Sequence, residues 1–336
     1  MSNDFEVSVE QEVAAVQMKR PHVVVLGAGA SRAACPQGDG NGKLLPLMND
    51  FAKVLSLEGV FRSWSIDPSQ NFESIFSDLF EREETTKINQ IQEAVEAYFG
   101  DLRLSDKPTI YDHLVLSLRK HDLIATFNWA PLLIYAYRRS SQAGLGLPRL
   151  AFLHGNMKVG YCIEDQVTGF IANRCSKCGK PLVRTPLLYP IRAKDYASNA
   201  FIANEWKLLK TGFEDAFMIT IFGYSGPKTD AEAIGAMKKA WGPKRRNLEQ
   251  TAFITIQSDS EINENWKAFI HTHHYELHSS FYDSWIANHP RRTGEAYWNQ
   301  YMEAKFISNN PVPKESGLQD LWTWYGQFKA AEDLAE

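Results

Sequence analysis

The sequence has little cysteine: four residues in 336. Four thiols in so long a chain make no disulfide framework, which argues for a reducing, cytoplasmic setting. It also lacks a dominant charge. The formal net charge is −4, so no overall field draws the chain to nucleic acid or to an anionic membrane, and direct binding to either is not expected. No apolar run approaches the ~20 residues that cross a bilayer. The opening residues, MSNDFEVSVE, have neither the basic nor the apolar stretch of a secretory leader. No repeat or low-complexity tract is visible.

What remains is an ordinary globular composition, 44% hydrophobic and 23% charged. The length allows about two domains at ~150 residues each. Residues 1–20 read as a loosely tied helix or arm. His22-Val23-Val24-Val25-Leu26 is a β-branched apolar run that stops at glycine, the pattern of a buried parallel strand. Further strands are expected at 122–127, 150–153, 217–222, 251–257 and about 274–277. Between Phe72 and Phe99 apolar residues recur at helical spacing, broken near the charged EREETTK stretch; this predicts a helical insertion over about 50–120. Residues 156–190 hold three of the four cysteines and read as a small inserted module. The expected division is an arm to residue 20, a main domain over 21–290 and a helical extension over 291–336. Strands alternating with helices predict an α/β fold with a Rossmann-like parallel sheet.

The first strand ends in Gly27-Ala28-Gly29-Ala30-Ser31. Glycines there let backbone approach a pyrophosphate, and the next helix offers N–H groups to the anion. A tight strand-to-helix turn explains the same residues without a ligand. The turn departs from the dehydrogenase fingerprint, because Arg32 stands where a third glycine belongs. Asp50 has the distance of a ribose partner but lies in a loop-to-helix passage. Gly42-Lys43-Leu44 is not a phosphate loop of the Walker type, which needs Ser or Thr after lysine.

Four more segments follow in a telling order: Thr126-Phe127-Asn128-Trp129-Ala130 at a strand end, Leu153-His154-Gly155 at another, the cysteine module, and Gly223-Tyr224-Ser225-Gly226 after a later strand. The ordered set resembles the sirtuin family over roughly residues 20–260. Sirtuin deacetylases carry an Asp-Phe-Arg run after the glycine turn, which is missing here, and their asparagine lies in Gln-Asn-Ile-Asp. With Phe127, Trp129 and Ala130 around Asn128, the chain is more similar to the NAD-degrading sirtuin-like domains of bacterial anti-phage defence.

That resemblance implies an NAD+ glycohydrolase consuming NAD+ as substrate, with Asn128 and His154 catalytic. Asn128 would orient the ribose hydroxyls or the attacking water, and His154 would act as general base. Gly27, Ala28, Gly29, Ala30 and Ser31 would hold the pyrophosphate, with Thr126 and Phe127 beside them. Gly223, Tyr224 and Ser225 would line the adenosine side. It also implies a homo-oligomer or a complex with another defence protein that triggers the activity. The alternatives are an NAD-dependent protein deacylase and a non-catalytic subunit that binds NAD or ADP-ribose.

Cys162 and Asp165, then Cys175 and Cys178, have the spacing of a paired knuckle with one aspartate in a cysteine position. Zinc accepts carboxylate oxygen, so a structural zinc is chemically allowed; a degenerate module held by packing is the competing reading. Cys35 reads as a loop-packing residue. His271, His273, His274 and His278 read as an edge strand, and Lys238, Lys239, Lys244, Arg245 and Arg246 as a solvated helix end. Ser225 only mimics a nucleophile elbow, since Pro227 stands where glycine is needed.

Overall fold

The computed structural model describes residues 5–191, 196, 199–227, 230–242, 250–267, 269–270 and 275–335. β1 (Glu6–Val7) and α1 (Val9–Ala14) lead to β2 (His22–Leu26) and α2 (Ala28–Ala34). Five helices follow: α3 (Phe51–Val54), α4 (Glu58–Ser63), α5 (Phe72–Glu81), α6 (Thr85–Gly100) and α7 (Ile110–Leu116). Next come β3 (Leu123–Thr126), α8 (Leu132–Ser140) and β4 (Arg149–Phe152). The short strands β5 (Val159–Tyr161), β6 (Thr168–Phe170) and β7 (Val183–Arg184) precede α9 (Ala200–Asp215) and β8 (Met218–Phe222). The chain continues through α10 (Ala231–Trp241), β9 (Thr251–Ile254), α11 (Asp259–Trp266) and β10 (Glu276–His278). It closes with α12 (Trp285–Asn288), α13 (Thr293–Tyr301), β11 (Phe306–Ile307) and α14 (Leu318–Ala335).

Six strands form one parallel sheet in the order β4-β3-β2-β8-β9-β10. The order runs outward from β2 in one direction and from β8 in the other, so the topology reverses between these two central strands. Such a reversal opens a crevice at the carboxyl ends of the strands. The apolar runs are continuous because both sheet faces are covered. Val24, Leu26 and Ile124 face a core built with α5, α6, α7, α8 and α14. Val23, Val25, Leu123 and Ala125 face the opposite core, built with α9, α10 and α11. The break expected in the helical insertion falls at 82–84, where Glu83 takes a positive φ of 56° between α5 and α6.

The cysteine segment is a three-stranded antiparallel sheet in the order β6-β5-β7. From Glu6 on, the described N-terminal residues are tied to the rest of the chain. β1 pairs with β11 in parallel, and Glu12, 1% exposed, lies 3.0 Å from Nδ1 of His289. A charged residue reads as solvated until its distant partner is known, which is why the sequence misleads here. His271, His273, His274, Lys244, Arg245 and Arg246 lie outside the described residues. Lys238 and Lys239 sit in the last turn of α10, where cations suit the helix end.

Candidate active site

The carboxyl ends of β4, β3, β2 and β8 lie side by side, with the topological reversal between β2 and β8. β2 ends at Leu26, and Gly27 caps α2 with an extended backbone. The N–H of Gly27 donates to the carbonyl of Phe222 (2.9 Å), and that of Gly29 to the carbonyl of Gly223 (2.9 Å). A Cβ on Gly27 would stand 2.5 Å from the Gly223 oxygen. The missing side chains thus make room for the turn after β8. Two of the amides expected to cradle a phosphate are already committed to that turn, and the Ala30 N–H goes to the Gly27 carbonyl.

Asn128 follows β3, whose ladder continues as the Phe127 N–H donates to Leu26 (3.0 Å). The Asn128 side chain reaches across to the glycine turn: Nδ2 donates to the Gly27 carbonyl at 2.8 Å and lies 3.4 Å from the Tyr111 hydroxyl. Only the NH₂ face of an amide can meet a carbonyl, so Oδ1 is left as its acceptor. Thr126 turns its hydroxyl back onto the Asn128 N–H at 3.0 Å.

His154 follows β4 in a turn set by Gly155. A Cβ there would stand 1.8 Å from the Pro186 oxygen, and φ is 77°, so only glycine fits. Phe127, the residue before Asn128, touches the other catalytic candidate. Its ring meets His154 edge-on at 4.8 Å and stacks on Tyr224 at 4.4 Å. Tyr224 is buried, and its hydroxyl donates to Asp230 at 2.9 Å. Burial and the Asp230 carboxylate push its phenol well above the ordinary range, which keeps it neutral. Ser225 is exposed, and its backbone carbonyl accepts from Asn265. Arg32, in the last turn of α2, pairs with Asp50 at 2.5 Å, so this carboxylate is taken up by an ion pair.

Several residues escape sequence reasoning. Tyr111, 1% exposed, places its hydroxyl 2.7 Å from Oγ of Ser31. Asn156 ties the loops after β3 and β4 together, donating to the Ala130 carbonyl at 2.9 Å. On α9, Glu205 accepts the Phe152 N–H (2.6 Å) and Trp206 donates to the Leu153 carbonyl (3.2 Å). These two side chains hold the strand end from which His154 projects. In sequence each of them reads as helix face or core. The one available signal was the Thr109-x-x-Asp112 capping box that starts α7.

The module's four candidate ligands converge. One ligand atom each from Cys162, Asp165, Cys175 and Cys178 lies within 4.8 Å of the others. Cys162 Sγ is 3.5 Å from Cys178 Sγ and 3.6 Å from Asp165 Oδ2, which is 3.2 Å from Cys175 Sγ. A tetrahedron with Zn–S bonds of ~2.3 Å has edges of similar size. The two arms are alike: the Asp165 N–H points at Cys162 Sγ and the Lys177 N–H at Cys175 Sγ. Each arm also turns through positive φ, at Gln166 (56°) and Gly179 (72°). The residues present fit a tetrahedral metal, and Cys35 is a buried packing residue far from this chemistry in sequence.

The strand order and the buried two-faced sheet define a Rossmann-like α/β fold with a helical insertion and a small cysteine module. No protein-family model matches the chain, and no curated protein does. Solved structures of Sir2 enzymes are similar to it in outline. One, from work on the mechanism and regulation of Sir2 enzymes, is 15% identical over 85% of this chain and 94% of that one, with a TM-score of 0.41. A mutant Sir2 homologue in complex with ADP-ribose is 15% identical over 97% of each chain, with a TM-score of 0.36. A triple mutant in complex with 2′-O-acetyl-ADP-ribose is 13% identical over 88% and 95%, with a TM-score of 0.42. An overlap this loose transfers no residue's role. No helix among the described residues is long and apolar enough to cross a membrane.

Proposed function

We propose that this chain is a sirtuin-like NAD+ glycohydrolase that cleaves the bond between nicotinamide and ribose. The observation that carries the reading is the contact of Asn128, at the end of β3, with Gly27, at the end of the neighbouring β2 beside the sheet reversal; the ring of Phe127, next to Asn128 in the chain, touches His154. The crevice outside the carboxyl ends of such a sheet is where ligands of this fold bind. The motif order of the sequence supplies the chemistry.

In the proposed reaction the C–N bond breaks and its electron pair leaves with nicotinamide, which loses its positive charge. The ribose becomes oxocarbenium-like. Water adds to the anomeric carbon and gives its proton to His154, yielding ADP-ribose. Asn128 orients the ribose hydroxyls or the water through Oδ1. The pyrophosphate would rest on the turn of Gly27, Ala28, Gly29, Ala30 and Ser31, where the N–H groups of Gly27, Gly29 and Ala30 already have acceptors within the protein. Gly223, Tyr224 and Ser225 line the adenosine side, where Ser225 is the exposed member.

Zinc belongs to the same proposal. Cys162, Asp165, Cys175 and Cys178 would hold it, and it would cross-link the module without touching the reaction. We place the activity in the cytoplasm, in anti-phage defence, with oligomerisation or a partner as trigger. The test is purified chain with NAD+, products separated by chromatography, alone and with added acyl-lysine peptide. Release of ADP-ribose without peptide supports the hydrolase; strict dependence on the peptide makes it a deacylase.

A further inference from the structure

Asn128 has a terminal amide with two hydrogens, and both have acceptors inside the protein. Nδ2 lies 2.8 Å from the Gly27 carbonyl and 3.4 Å from the Tyr111 hydroxyl oxygen, the longer and weaker contact. The Tyr111 oxygen is also 2.7 Å from Oγ of Ser31. Tyr111 is fully enclosed on α7, and burial keeps its phenol protonated across the working range. The neutral phenol accepts from Asn128 and shares a hydrogen bond with the Ser31 hydroxyl, which either group can donate. Loss of the phenol oxygen removes one of the two anchors of the Asn128 amide and leaves Ser31 without this partner.

We propose that Tyr111 is a positioning residue that fixes the Asn128 amide with Oδ1 toward the reacting ribose and holds the Ser31 hydroxyl in the same hydrogen-bonded chain. This rests on the NAD+-cleaving reading above. It adds to that reading a residue on a helix of the inserted segment, which neither the motif order nor the spacing reveals. The role is one of orientation, so it acts on the reacting geometry and leaves the grip on the rest of the dinucleotide alone.

The experiment is steady-state NAD+ cleavage by wild type and Tyr111→Phe, with kcat and KM measured separately and expressed per folded molecule. The expected result is a kcat lower by roughly tenfold, the size of one hydrogen bond in the transition state, with KM within about threefold. A raised KM with unchanged kcat, or no change in either, overturns the positioning role. Ser31→Ala carries the test if Tyr111→Phe does not fold: a lowered kcat with KM within about threefold supports the hydrogen-bonded chain, and an unchanged kcat or a change in KM alone overturns it. Wild-type protein that turns over no NAD+, whether isolated, oligomerised or with a candidate partner, overturns the functional reading itself and this role with it. Turnover by wild type that Tyr111→Phe matches overturns the role alone.

Discussion

Gly223 and Gly29 lie against each other without room for a side chain between them. A Cβ on Gly223 would stand 2.1 Å from the Ala30 nitrogen and 2.4 Å from the Gly29 carbonyl carbon, and φ at Gly223 is 62°. The two turns at the sheet reversal therefore fix each other. Gly223→Ala combines a clash with backbone strain and should cost about 2–4 kcal/mol. Urea denaturation measures this. A loss under about 0.5 kcal/mol would mean that the turns are not in contact.

Zinc content is the readout for the module. Protein purified in reductant without chelator should carry one zinc per chain, bound through Cys162, Asp165, Cys175 and Cys178. Asp165→Ala should weaken zinc by more than roughly 100-fold, since even groups outside the coordination sphere cost 10–100-fold. Asp165→Cys should retain the metal. Absence of zinc from the wild-type protein sinks the assignment.

Glu205 sets a pH dependence. Burial raises its carboxyl from an ordinary value of 4.5 to about 7, opposed by the Phe152 N–H. The folded chain therefore favours the protonated acid. Its contribution is fully present below pH 4.5 and is lost as pH rises to 7, about 3 kcal/mol in all. Glu205→Gln keeps an acceptor for Phe152 without the titration. Its stability relative to wild type should rise across that window. A difference between the two proteins that stays constant from pH 5 to pH 8 would contradict this.

The terminal helix is held by a buried charge cluster. Glu332 on α14 contacts Arg291 at 2.5 Å and Arg292 at 2.7 Å, and both guanidinium groups are enclosed. Arg291 also donates to the carbonyls of Leu116, Leu118 and Gly146, so it cannot move out to water. Glu332→Ala leaves two buried cations short of their anion and should cost about 3–5 kcal/mol. A thermal or urea transition close to that of wild type would show the cluster to be dispensable.

The sheet was legible because its strands carry a local mark. Val23 to Leu26 are apolar at every position, Met218 to Phe222 at all but Thr220, and each run stops at glycine. The glycine turn was legible as a turn, but its neighbour was not. The approach of Gly223 to Gly29 spans nearly two hundred residues, and no local pattern encodes it. The strands of the cysteine module are two or three residues long, too short for a period to show. Tyr111 reads as a core aromatic, because a hydroxyl leaves no trace in hydrophobic spacing. Glu12, Glu205 and Glu332 read as surface charge for the same reason: their partners are remote in sequence.

The most direct measurement is NAD+ turnover by the purified full chain, with and without oligomerisation, compared with Asn128→Ala and His154→Ala of equal folded content. The account predicts nicotinamide and ADP-ribose in equal amounts from wild type and none above background from either variant. Turnover that survives in both variants would contradict it.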